Sequence, residues 1–446
     1  MFLRVLIELP RWLFLAMLVF APWAYGSTRQ WSLEILRPAM LTTVVLWIVG
    51  CFARRQKPAV HPVVLIGAGF LFLQGWWMIA NAQYFYDRSN EKFVPVSCIS
   101  TAAPGALDTK EAIPAMIRIT GLLGVLCFVC DLSRRPIWRQ RIFWTIGLTG
   151  TTLIIYGLIR RLTGNPEMTL AGELIWSFFA NYIYNANAGA FINLVLPPIA
   201  GLAFIAFRKK RAPWQQMLWL PALLFCFAGS IIAASKGAMG ISLFLAVVLA
   251  IWQREFLFER FRGVSPKVRA VYALFGLLAF CAVIAIGWQY ASARFTQGQA
   301  QTSAQTRLLA YGACLKMLPD SGAWGFGAAN FAIAFPHYTA YLGNAIRGIW
   351  DFAHEDYLQT LIEWGYVGGA VFGVLFFGAM IVGFRRYFLM RKKAATVDSV
   401  FLFTATLALL GVAIHAAFDF PLQIASLQLY AATYAGIAWG SLYWVK

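Results

Sequence analysis

Charge is scarce in this chain. Of 446 residues only 12% are Asp, Glu, Lys or Arg, while 60% are hydrophobic and the mean hydropathy is +0.67. That balance excludes an ordinary soluble domain. Histidine is scarcer still, with four residues. There is no G-x-x-x-x-G-K-[ST] phosphate loop, which argues against ATP-driven transport by this chain. No H-E-x-x-H and no paired C-x-x-C offers zinc spacing. Cys127 and Cys130 form a lone C-x-x-C inside an apolar run with no histidine nearby, so packing is the better reading. Gly325-Phe326-Gly327 is a fragment of a glycine-rich loop that follows no strand. With Pro319-Asp320-Ser321-Gly322 it reads as turn chemistry in a re-entrant loop. No internal repeat of the two-fold transporter kind occurs, and no loop is long enough for a second domain, so residues 1–446 read as one polytopic membrane unit.

What the chain has in abundance is apolar runs of about 17–25 residues, each long enough to cross a ~30 Å hydrocarbon core as a helix. Twelve are expected, near 3–25, 31–53, 62–82, 113–131, 142–160, 187–207, 217–234, 237–253, 270–291, 358–383, 397–416 and 424–445. The first keeps Pro22 and Trp23 and lacks a small-residue cleavage site, so it reads as a span and not a signal peptide. Basic residues collect in alternate short loops: Arg54, Arg55 and Lys57; Arg134, Arg135, Arg139 and Arg141; Arg208 to Arg211; Arg254 to Arg269; Arg385 to Lys393. The positive-inside rule puts these loops and both termini in the cytoplasm. The net charge of +19 is then mostly a topology signal with attraction to anionic lipid. Split over separated loops, it does not suit a nucleic-acid partner. Three longer segments fall on the outer side, the periplasm of a bacterium: about 83–112, 161–186 and 292–353. The last is the largest and most polar. No D-x-D pair occurs on them, which weakens a metal-chelating sugar-phosphate site. Cys98 and Cys314 both lie on this side, where pairing between them stays open.

The most informative segment is Ala353-His354-Glu355-Asp356-Tyr357-Leu358-Gln359, where the polar stretch meets an apolar run. Ionisable groups at such a depth are costly and mark candidate sites. Asp351 is the expected N-cap of a helix from Phe352, with His354, Glu355 and Asp356 in its first turn. There Glu355 and Asp356 compensate the helix dipole, while the dipole and partial burial favour a neutral imidazole able to take a proton. A structural histidine is the competing reading. Arg307 starts an amphipathic stretch that runs to about Leu318, and Lys236 sits between two apolar runs. Each has a plain account, a solvated charge and a snorkelling amine. Together with a neutral base they supply what transfer from a diphosphate leaving group needs. Asn185-Ala186-Asn187, after the aromatic Trp176-Ser177-Phe178-Phe179, reads equally well as facing a sugar or as interfacial.

These residues resemble the O-antigen ligase and O-antigen polymerase superfamily of bacterial envelopes. Ala353 to Gln359, then Glu363, Gly365 and Gly368, resembles its A-H-N-D-Y-L-Q…E-x-G-x-x-G signature. Arg307 followed by Pro319, Gly325, Gly327, Asn330 and Phe331 is similar to its arginine and P-x-x-G-x-G-x-x-F pattern. Ser235-Lys236-Gly237-Ala238 resembles its S-R-G/A segment, with lysine replacing arginine. His415 to Leu422 resembles its H-x-x-x-D-F segment, and Pro22 to Arg29 also has its look. The resemblance implies an all-α, GT-C-like polytopic glycosyltransferase of the inner membrane that works without a metal ion or other cofactor and inverts the anomeric centre. It would take a glycan from undecaprenyl diphosphate on the periplasmic face. Carried over, His354 is the base and Arg307 and Lys236 contact the diphosphate; Asp356, Tyr357, Gln359 and Asn187 are the further candidates for contact with substrate. Lysine keeps the charge of the family's arginine but loses its planar fork. Lipid A–core is the expected acceptor, as in an O-antigen ligase. A polymerase using a carrier-linked acceptor is the alternative, and a non-enzymatic twelve-helix transporter or flippase the distant one.

Overall fold

The computed structural model describes residues 2–163, 168–170, 173–175, 179–209, 211–233, 235–262, 265, 270, 299–346, 350–391 and 396–444. Three helices open the chain: α1 (Phe2–Trp23), α2 (Gln30–Ala53) and α3 (Pro62–Ala80). A short hairpin, β1 (Tyr84–Asp87) with β2 (Lys92–Pro95), follows in antiparallel register, Tyr84 opposite Pro95. Next come α4 (Thr109–Leu132), α5 (Pro136–Leu162), a small hairpin of β3 (Met168–Leu170) and β4 (Glu173–Ile175), α6 (Asn185–Arg208), α7 (Pro213–Ile232) and α8 (Lys236–Arg262). The rest comprises α9 (Gln299–Ser321), α10 (Phe331–Thr339), α11 (Asp356–Arg391), α12 (Val397–Ala416) and α13 (Ala425–Gly440).

The protein is an all-α polytopic membrane protein. Among the described residues ten helices, α1 to α8 with α11 and α12, are long and apolar enough to cross a membrane. They fall on ten of the twelve expected runs. The run at 270–291 lies outside the described residues, apart from Ala270. The last run forms α13, 16 residues of about 24 Å, which continues directly into a 3-10 turn at Ser441–Tyr443. The most apolar windows of α6 and α12 are 89% and 78% buried. These two helices are hydrophobic all round because protein surrounds them, and α6 packs on α5, α7, α8 and α12. Side chains such as Phe52, Met217 and Ile66 face outward from the bundle. Cys127 and Cys130 are buried in α4, where Gly436 of α13 packs against Val129 and Gly440 against Ser133. Cys98 and Cys314 are both free thiols.

The polar segment 292–353 carries α9, α10 and a 3-10 turn at Ala340–Ala345, with the amphipathic stretch after Arg307 inside α9. One expectation changes: the helix after His354 starts later, at Asp356, and Asp351 does not cap it. His354 itself has a φ of 55°, in the left-handed region, so no helix passes through it. Glu355 takes the capping role instead, its carboxylate accepting from the Leu358 N–H.

The glycine motifs explain one another. Helix α11 breaks at Gly365 (φ 67°, ψ −178°), and the loop after α9 enters the break. Phe326 and Gly327 donate backbone bonds to Ile362 and Glu363, and Tyr366 and Val367 donate to Gly322 and Ala323. Gln74 of α3 ties both segments by donating to the carbonyls of Trp324 (3.2 Å) and Trp364 (2.9 Å). A β-carbon on Gly325 would lie 2.3 Å from the Glu363 oxygen, and one on Gly365 2.3 Å from Ala323. Only glycine fits at either point. Turn chemistry is what the sequence predicts here, and Gly322, Gly325 and Gly327 all have positive φ.

Candidate active site

The site forms at one end of the bundle, where α6 starts, α12 ends and the chain turns into α11. Residues 417–424, between α12 and α13, are its hub. Asp356, the first residue of α11, holds this linker: its carboxylate accepts from the Leu422 N–H (2.8 Å) and from Gln423 Nε2 (3.2 Å). Asp419 is buried, and its Oδ1 accepts from the Phe420 N–H at 3.1 Å. The same oxygen faces His354 Nδ1 at 3.2 Å. If Nδ1 carries the proton, it donates to Asp419 and leaves the Nε2 lone pair for a substrate. His415, buried in the last turn of α12, has its Nε2 4.0 Å from Asp419 Oδ2.

Aromatic rings wall the imidazole. Phe420 (4.7 Å), Trp350 (5.3 Å) and Tyr184 (6.3 Å) all meet it edge to face, and its side chain stays 24% exposed, enough for a ligand to reach. Tyr184 and Phe352 both stack on Phe420. The Tyr311 hydroxyl of α9 donates to the His354 carbonyl at 2.8 Å and so pins the strained residue. Burial pushes the Tyr311 phenol up in pKa, with Arg307 opposing, which keeps it a donor. Burial also raises the Glu355 carboxyl, against the lowering effect of the Leu358 and Tyr357 N–H groups.

Arg307 joins the same constellation from α9. Its Nη1 donates to the Phe418 carbonyl (3.0 Å) and its Nη2 to the Tyr184 hydroxyl (3.1 Å). The two bonds fix the guanidinium plane and use two of its five donors. Lys236 is exposed at the start of α8. Next to it, Gly237 packs against the Phe418 ring, which brings the α7–α8 turn to the linker that holds Arg307. Amides of α6 secure that turn: Asn185 donates to Ala233 O (2.9 Å) and Asn193 to Ala238 O (3.0 Å).

Of the remaining sequence candidates, Tyr357, Gln359 and Asp356 have structural partners. The Tyr357 hydroxyl donates to Ala413 O at 2.7 Å. Gln359 accepts from the Ala353 N–H (3.0 Å) and donates to Glu363 (2.9 Å). Asp356 spends both oxygens on the linker, and Asn187 is buried in the first turn of α6. Sequence reading did not select Asp419 and Tyr184 as site residues. The H-A-A-F-D-F segment was the available signal for Asp419; Tyr184 had only its place beside Asn185.

Comparison with curated proteins finds no match to this chain. Residues 221–373 match the family model described as O-antigen ligase. That segment takes in Lys236, Arg307 and His354 and ends before Asp419. Over that segment, about a third of its length, the chain is similar to the O-antigen ligase family.

Proposed function

We propose that this protein transfers a glycan from undecaprenyl diphosphate to lipid A–core at the outer face of a bacterial inner membrane. The observation that carries the reading is the His354–Asp419 pair, set in an aromatic wall and joined through residues 418–420 to Arg307. His354 Nε2 takes the proton of an acceptor hydroxyl as its oxygen attacks the anomeric carbon. The bond to the diphosphate oxygen breaks on the opposite side, so the centre inverts, and the electron pair leaves with the diphosphate. Arg307 and Lys236 stabilise that developing charge. Asp419 holds the imidazole tautomer, as an orienting carboxylate does in other acid–base pairs. Asp356, Tyr357 and Gln359 act by positioning the linker and the turn around His354. Asn187, in the first turn of α6, is the remaining candidate for contact with the donor sugar.

Transfer without a metal ion fits the use of the nearby carboxylates, since Asp356 and Glu355 are engaged by backbone and side-chain N–H groups. The chemistry would be the same for a polymerase, in which the acceptor is a second carrier-linked glycan. The test is a purified assay with defined donor and lipid A–core acceptor in excess EDTA. The parent protein should form product, and well-inserted His354→Ala should lose about 10²–10⁴-fold in rate. Near-normal transfer by His354→Ala would remove it from the mechanism. Recovery of a lost activity by one divalent ion would overturn metal independence, and product only with carrier-linked acceptor would make the protein a polymerase.

A further inference from the structure

A second polar site lies at the other end of the bundle. Helix α1 runs about 33 Å between the two ends. Its Trp23 carbonyl accepts from Asn181 at 2.9 Å, three residues before Tyr184, so its N-terminal half points away from His354. There α1, α2 and α4 enclose a small cleft, partly open to solvent, lined among others by Arg11, Arg54, Asp131 and Arg135.

The charges in this cleft do not balance. Arg11 is 6% exposed and bonds Glu8 at the rim, 2.6 Å away. Arg54 and Arg135 are near enough to repel it electrostatically. Asp131 is already engaged, accepting from Trp47 Nε1, the Ala59 N–H and Arg134 at 2.9–3.0 Å. Four arginines thus lie where two carboxylates are present: Arg11 is paired with Glu8 and Arg134 with Asp131, and no carboxylate among the described residues pairs with Arg54 or Arg135. Two cations at the mouth of the cleft, beside a buried guanidinium, favour an anion there. The depth is also informative. The Trp138 ring takes Arg11 on its face at 5.4 Å and Arg141 at 4.5 Å, and Trp12 meets it edge to face at 5.5 Å. Trp138 is buried, while Trp12 is exposed on the outside of the bundle; exposed tryptophans sit at headgroup level, where basic pockets between membrane helices take lipid phosphates.

We propose that the cleft between α1, α2 and α4 binds the phosphate of an anionic phospholipid, with Arg11, Arg54 and Arg135 as its contacts. Guanidinium groups suit this ligand because their planar fork pairs with two phosphate oxygens. The inference is independent of the transfer chemistry at His354.

The test is thermal unfolding of the full chain in a neutral detergent, titrated separately with phosphatidylglycerol, phosphatidylcholine and inorganic phosphate. Phosphatidylglycerol should raise the melting temperature saturably and phosphatidylcholine should not. A comparable shift from inorganic phosphate at millimolar concentration would overturn the lipid as ligand and leave a free-phosphate site. In the double variant Arg54→Gln/Arg135→Gln, which spares the buried Arg11, the apparent affinity for phosphatidylglycerol should fall at least tenfold. Arg208→Gln/Arg211→Gln, in a different basic loop, should bind like the parent. No shift with any additive, equal binding by the first double variant, or equal loss in the second would each overturn the proposal.

Discussion

The imidazole of His354 is useful as a base only if a particular nitrogen is left free, and Asp419 is the residue that decides which. Its Oδ1, 3.2 Å from Nδ1, has a second bond from the Phe420 N–H that stops it from turning away. Asp419→Asn should therefore keep the fold and the donor affinity while lowering kcat about 10²-fold or more, because an amide can hold the wrong tautomer. A KM change with kcat intact would mean that Asp419 binds substrate and does not orient His354. His354 and Arg307 stand out as candidates in the sequence, and the structure brings both to the 417–424 linker; base and cation are the roles proposed for them. Tyr184 does not stand out. It depends on a stack with Phe420, more than 200 positions away, and no local pattern reports such a contact.

At the level of elements, the break in α11 is the feature that sets the site's geometry. Trp364 and Gly365 lie between the turn that carries His354 and the long apolar part of the helix. Gly365→Ala would put a methyl group 2.3 Å from Ala323 and hold an L side chain at positive φ. Strain of ~1–3 kcal/mol is expected from the backbone alone. The variant should show a lower melting temperature in detergent and less folded protein in the membrane; a parent-like melting curve would show that the loop can yield. That these glycines form turns was legible from sequence. That the two motifs interlock was not, since Gly325 and Gly365 are 40 positions apart and the bonds between them are made by backbone, which composition does not reveal. The late start of α11 was hidden for a related reason: a histidine in the left-handed region has no sequence signature, and Asp351 looked like an ordinary cap.

For the molecule as a whole, apolar run length was enough to find ten of the spans, because a hydrocarbon core sets a minimum length and the chain has few charges to interrupt it. It says less about the last run, where 424–445 becomes the buried α13 and the 3-10 turn at Ser441–Tyr443. Apolar content cannot tell lipid from protein as the surrounding medium. The alternation of basic loops leads to a further expectation, that the β1–β2 hairpin and Arg55 lie on opposite sides. Single cysteines placed at Asn90 and at Arg55 in intact cells should differ: a membrane-impermeant thiol reagent should label the first and not the second. Labelling of Arg55→Cys alone would invert the topology and, with it, the proposed periplasmic location of the site.

The left-handed backbone of His354 has a consequence for how this protein could drift over time. A residue with a β-carbon is poorly suited to that conformation, and glycine adopts it freely. His354→Gly should therefore melt no lower than the parent, and by up to about 1 kcal/mol could be the more stable chain, while making no product. If instead it melts well below the parent, the aromatic contacts of the imidazole outweigh the strain. On the first outcome, selection for fold stability alone would erode this position toward glycine. Persistence of histidine there in a lineage would then be a record of selection for the reaction.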